Sequence, residues 1–139
     1  MIGLLPSLVP WVHPITGGLT ILLAVHGARL ALRSRRPGAA AAACRARHRA
    51  LMPWVYGLVL LSWGLGLATV HWGRLNLETA ASGHFDVGTA IVVLFTAGAI
   101  VSRWVPVAEH ARAVHPWIGA AALLLCGVQV FLGLQIMAR

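Results

Sequence analysis

The sequence predicts an all-α integral membrane protein, a four-helix transmembrane bundle with both termini outside, forming a single membrane domain over residues 1–139. Three observations predict it. Of the 139 residues 59% are hydrophobic and only 10% charged, with a mean hydropathy of +0.82, which no soluble domain of this size sustains. The apolar residues fall into four continuous runs, each close to the ~20 residues that cross a bilayer core. The runs do not alternate, and nothing suggests the closed barrel that strands would need in lipid.

Taken in order, the spans are expected at Ile15 to Leu32, Leu51 to Trp72, Val87 to Val107 and Trp117 to Ala138. The first dozen residues lack a basic region and an A-x-A cleavage site, so span one is expected to insert as an uncleaved anchor. Between spans one and two, alanine and arginine fill Ser34 to Arg49, a stretch read as partly helical with its turn at Pro37-Gly38. The six tryptophans suit the spans: Trp11 and Trp72 near the outer interface, Trp54, Trp104 and Trp117 near the inner one, and Trp63 deep. Gly64, Gly66, Gly98, Gly127 and Gly133 read as sites of close helix packing. Cys44 and Cys126 fall toward opposite sides, which argues against an intramolecular disulfide, and the lack of C-x-x-C-H excludes covalent c-type haem.

The net charge of +8 comes entirely from arginine, since the chain has no lysine. Seven of the eleven arginines (Arg29, Arg33, Arg35, Arg36, Arg45, Arg47, Arg49) lie at the end of span one or just after it, and Arg103 and Arg112 flank the connection between spans three and four. With helices running alternately up and down, these two connections share a side. The other side holds Arg74 against Glu78 and Asp86, together with Arg139. The positive-inside rule puts the arginine-rich loops in the cytoplasm and both termini outside. Topology marking and attraction to anionic membrane lipid explain these arginines better than nucleic acid does, so no nucleic-acid partner is expected.

Seven histidines stand beside only three acids, and ionisable groups at membrane depth are costly and usually functional. His13 opens span one, His48 precedes span two, His84 precedes span three and His115 opens span four. The alternating direction places His13 with His84 on the outer side and His48 with His115 on the cytoplasmic side. A neutral imidazole binds metal through one nitrogen and donates the other N–H, so two facing histidines suit a six-coordinate haem iron, and two pairs suit two haems. Zinc is the weaker reading, because a closed structural site gathers four ligands and these come two by two. No carboxylate pair, Ser/His/Asp set or phosphate loop is present. A metal-ion transporter would need a continuous polar path, and no acid lies deep in the bundle.

Glycine follows histidine by four residues in "H-P-I-T-G" (His13, Gly17), "H-F-D-V-G" (His84, Gly88) and "H-P-W-I-G" (His115, Gly119), on the same helical face one turn on. A macrocycle could lie flat against the backbone there. Pro14 and Pro116 suit a first helical turn. His48 has Met52 at the fourth position, so its assignment rests on side and spacing. His26, His71 and His110 are followed at that offset by Leu30, Leu75 and Val114. Packing or hydrogen bonding is the reading for His26. His71 with Arg74 reads equally as a contact to a haem propionate or redox partner and as a solvated interfacial pair, and His110 is the substitute for His115.

With "W-V-H-P" opening the first span, single histidines near the start of each later one and 35, 36 and 31 residues between successive histidines of the four, the chain resembles the four-helix haem core of cytochrome b561 proteins. The resemblance runs from Trp11 to about Met137. It is nearer to the small bacterial and cyanobacterial four-helix members than to the six-helix eukaryotic ascorbate-dependent enzymes. It implies two haem b groups, one held by His13 and His84 and one by His48 and His115, in a bacterial inner (cytoplasmic) or internal membrane. It further implies transmembrane electron transfer by an oxidoreductase whose donor and acceptor are of the quinone, ferric chelate or redox-protein kind. The reading from another class is a haem-free or single-haem accessory subunit of a larger respiratory or photosynthetic membrane complex.

The arginine distribution predicts that a cysteine placed at Ser34 stays silent to an impermeant thiol reagent applied outside intact cells while one at Ser82 reacts. The opposite labelling pattern reverses the orientation but leaves the histidine pairs on their shared sides.

Overall fold

The computed structural model describes residues 5–72 and 82–138, with side chains for 11–70 and 82–138. Within these residues every regular element is helical: α1 Leu5–Arg33, α2 Ala40–Trp72, α3 Gly83–Ser102 and α4 Glu109–Met137. All four are long and apolar enough to cross a membrane, over Trp11–Arg33, Ala40–Val70, Gly83–Ser102 and Glu109–Met137. The four apolar runs of the sequence therefore each lie on a helix. Arg74, Glu78 and the side chains of His71, Trp72 and Arg139 lie outside the described residues.

The helix ends depart from the apolar runs for identifiable reasons. α2 begins at Ala40 rather than near Leu51, because alanine and arginine are strong helix formers and need no apolar pattern to extend a helix. At about 1.5 Å per residue its 33 residues span roughly 50 Å, more than a ~30 Å hydrocarbon core. Its excess is the stretch that carries Arg45, Arg47 and Arg49, all exposed. α3 stops at Ser102, five residues before the expected Val107: Pro106 has no N–H to give and restricts Val105 before it. Residues 103–107 are turns instead, steadied by the Arg112 guanidinium donating to the carbonyls of Val105 and Pro106 at 3.5 and 3.4 Å.

The prolines also correct an expectation. α1 starts well before Pro14 and α4 well before Pro116, so neither stands in a first turn; both are inside helices, as is Pro53 in α2. Each removes one i→i−4 bond, which leaves the carbonyls of Pro10, Arg49 and Arg112 without their usual helical donor. Apolar helices tolerate this where local adjustments or neighbours make good the loss.

The helices form two antiparallel hairpins. α1 and α2 are joined by residues 34–39, where Gly38 takes φ +130°, a conformation closed to side chains with a Cβ. α3 and α4 are joined by the turns after Ser102. The hairpins meet along α2 and α3 through two hydroxyl bridges. Tyr56 Oη lies 3.0 Å from Thr96 Oγ1, which itself donates to the Val92 carbonyl, and Trp63 Nε1 donates to Thr89 Oγ1 at 3.2 Å, which donates to Phe85. Between them Val59, Ile91 and Cys126 form a buried apolar layer, packed with Ile21, Val87, Val92, Phe95 and Leu125 from α1, α3 and α4. Val55 below it is fully enclosed. Trp11, Trp54, Trp104 and Trp117 are exposed while Trp63 is half-buried. Cys44 and Cys126 are both free thiols.

Candidate functional site: two histidine pairs

The six histidines with described side chains differ in exposure. His13, His48, His84 and His115 are half-buried, whereas His26 and His110 are exposed. His13 and His84 meet at the end of the bundle remote from the arginines, their ring centroids 6.1 Å apart and their planes at 86°. At the arginine-rich end, His48 on α2 and His115 on α4 are each half-buried. No group of three His, Cys, Asp or Glu side chains that could hold a metal ion gathers among the described residues.

What holds the rings of His13 and His48 is the helix across their own hairpin. His13 Nδ1 donates to the Ser62 carbonyl at 2.9 Å, and His48 Nδ1 donates to the Gly27 carbonyl at 2.9 Å. In the second hairpin the Nδ1 atoms of His84 and His115 are buried without a hydrogen-bond partner, and Gln129 Nε2 lies 3.1 Å from His84 Nε2. For His13 and His48, with Nδ1 turned to a carbonyl, the lone pair of Nε2 is left on the other edge of the ring, which is the arrangement of a metal-ligating histidine with its supporting acceptor.

Glycine governs these contacts, though through the partner helix. A Cβ on Gly66 would stand 3.1 Å from His13 Cε1, and one on Gly133 would stand 3.2 Å from His84 Cε1. A Cβ on Gly27 would meet Met52 Sδ at 2.8 Å and approach His48 Nδ1 to 3.9 Å. These rings rest on bare backbone. Gly17 and Gly88, singled out by their four-residue offset, border the neighbouring residues of the same pair: their added Cβ atoms would meet Ser62 Oγ at 3.3 Å and Gln129 Nε2 at 3.0 Å. Gly119 is exposed and faces open space.

Ser62, Gln129 and Gly27 are thus site residues that the four-residue offset does not reveal, and Gly66 and Gly133 do more than admit a helix. The sequence does carry their signal, as a repeat. Gly27 follows His13 by 14 residues and Gly98 follows His84 by 14; Gly66 follows His48 by 18 and Gly133 follows His115 by 18. Gly17 and Gly88 correspond in the first helices, and Ser62 and Gln129 in the second. Burial repeats with them: Thr20 and Ile91, Val55 and Ala122, and Val59 and Cys126 are equivalent and all buried. Hairpin two is a counterpart of hairpin one, and each histidine pair takes one equivalent histidine from each.

For the outer pair the separation of the rings leaves room for a metal. With metal–imidazole bonds of about 2.0–2.1 Å and a ring radius of ~1.1 Å, two imidazoles on opposite sides of one ion have centroids about 6 Å apart. The 6.1 Å of His13 and His84 matches that spacing. Because His48 rests on Gly27, 14 residues along α1 from His13, the two pairs are separated by roughly 21 Å of helix. Comparison of the chain with protein-family models, with curated proteins and with solved structures finds no match.

Gly66→Ala is expected to push the His13 ring by a few tenths of an ångström and weaken its bond to the Ser62 carbonyl, whereas Gly57→Ala, on the same helix with nothing within 4 Å, leaves it in place. Nitrogen-15 spectra of labelled imidazoles read this directly: the Nδ1–H signal of His13 moves in the first variant and is unchanged in the second.

Proposed function

We propose that the chain is a transmembrane electron-transfer protein, a b-type cytochrome with two bis-histidine haems, one toward each membrane face. His13 and His84 hold the outer haem, and His48 and His115 hold the cytoplasmic one. The observation that carries the reading is the approach of His13 to His84 at 6.1 Å, with His13 Nδ1 committed to a main-chain carbonyl. Residues 49 apart in sequence bring an imidazole and its acceptor together, and a third helix supplies the facing ring. A role in packing alone does not call for four inward histidines on four different helices.

The chemistry that a haem supplies here is one-electron exchange between ferric and ferrous iron; two protein ligands leave no open coordination position, which favours electron transfer over oxygen activation. The chain contributes the rest. The Ser62 and Gly27 carbonyls hold the Nδ1 protons of His13 and His48 and so raise the basicity of Nε2. Gly66 and Gly133 let the outer rings lie on the α2 and α4 backbones. The layer of Val59, Ile91 and Cys126 keeps water and ions from passing between the sites while leaving them close enough for relay. The arginines at one end place that end in the cytoplasm and attract anionic lipid. A quinone, a ferric chelate or a redox protein is the class of reactant at either face, in keeping with the cytochrome b561 resemblance and a bacterial inner or internal membrane.

Redox titration and haem extraction of single variants test the assignment. His13→Ala and His84→Ala should each remove one and the same redox component, and His48→Ala and His115→Ala the other. Alanine at His26 or His110, whose side chains face outward, should leave about two haems per chain. Loss of one common component by His13→Ala and His48→Ala, or loss of a haem by His26→Ala, contradicts the pairing.

A further inference from the structure

The four helices stand in a ring with four seams, and three of the seams are fastened by hydrogen bonds. Within the hairpins, α1 is held to α2 by His13 on Ser62 and His48 on Gly27, and α3 meets α4 where the Gln129 amide approaches His84. Between the hairpins, α2 is held to α3 by Tyr56 with Thr96 and Trp63 with Thr89. Among the described residues no hydrogen bond links α1 to α4. These two helices are also the pair of neighbours that are not consecutive in the chain.

The equivalence of the hairpins shows what the fourth seam lacks. With His13 matched to His84 and His48 to His115, the Trp63–Thr89 bridge corresponds to Val130 and Gly18, and the Tyr56–Thr96 bridge to Leu123 and Val25. An indole and a hydroxyl on one seam are an isopropyl group and a hydrogen on the other. Trp63 and Thr89 are half-buried, whereas Val130 is 46% exposed and Gly18 is exposed, with nothing within 4 Å of where its Cβ would stand. The gap lies beside the outer pair. Gly18 follows Gly17, which borders Ser62, and Val130 follows Gln129, whose amide lies 3.1 Å from His84.

In lipid, helices are kept together by close packing and by polar contacts, and lipid tails compete on equal terms for apolar surface. A seam with neither a bridge nor a filled interface is where such a bundle separates first. We propose that the two hairpins part along α1–α4, turning on the α2–α3 bridges, and that this seam is a lateral gate from the lipid to the outer histidine pair. Gly18, Val25, Leu123 and Val130 bring no polar side chain to it, so the gate suits a flat, largely apolar group dissolved in the bilayer and opposes a hydrated ion. The motion rests on geometry alone. What passes, a haem bound for His13 and His84, rests on the functional reading above.

The test uses the full chain in lipid nanodiscs, with Cys44→Ala and Cys126→Ala so that introduced thiols are labelled alone. Spin labels on Leu22→Cys and Leu124→Cys, both exposed, report the α1–α4 distance, and labels on Leu61→Cys and Val93→Cys report α2–α3. Electron–electron resonance on the haem-free chain should give a broad α1–α4 distribution and a narrow α2–α3 one. Adding Gly18→Thr and Val130→Trp, which copies the Trp63–Thr89 bridge, should narrow the first. Haem uptake is then followed with a short reducible thiol linker. Joining Gly18→Cys to Val130→Cys should slow filling of the component that His84→Ala abolishes by about tenfold or more, because the open population is lost. Reducing the linker should restore it, and the same linker between Trp63→Cys and Thr89→Cys should leave uptake unchanged. Equal widths on the two seams, a broader α2–α3 distribution, or uptake indifferent to the α1–α4 linker overturns the proposal. If the chain takes up no haem, the functional reading fails by itself and the distance distributions alone decide for or against the gate.

Discussion

The structure turns on an imidazole lying against a helix backbone across a hairpin. His13 reaches the Ser62 carbonyl and packs over Gly66; His48 reaches the Gly27 carbonyl. Such contacts need a helix surface without a Cβ and a ring whose other nitrogen has somewhere to point. Together they fix the register of each hairpin, because sliding one helix by a residue turns the glycine away from the ring. They also fix the chemistry, since a carbonyl on Nδ1 leaves Nε2 as the exposed base.

Helices in an apolar medium gain little from burying more apolar surface against one another, so close packing and polar contacts decide how they associate. Within each hairpin the histidine–backbone contacts and the glycines serve that end. Between hairpins the work falls to Tyr56 on Thr96 and Trp63 on Thr89, bridges confined to the α2–α3 side. Neither bridge is repeated on the other side: the positions equivalent to Tyr56 and Trp63 are Leu123 and Val130. The halves are equivalent where they make the sites and unequal where they are joined.

The four helices are legible in the apolar runs because the runs are long and continuous, and the inward four of the histidines are legible because alternating helix direction sorts them by end. Helix boundaries are less so. An apolar run reports what a membrane would cover, while alanine and arginine carry α2 back to Ala40 with no apolar signal at all. The glycines beneath the rings are missed when sought one turn along the same helix, since the ring leans on the helix that returns beside it. Gly27 and Gly66 acquire meaning only with the register of the hairpin, although their spacing from His13 and His48 is written twice. Ser62 acts through its main chain, so its side chain carries no sequence signal for the contact.

The central claim is that two equivalent hairpins join their histidines into two haem sites. A dithionite-reduced minus oxidised difference spectrum with a pyridine haemochrome assay on the purified chain tests it most directly. The account predicts a b-type spectrum with about two haems per chain, and a chain that lacks any b-type band contradicts it.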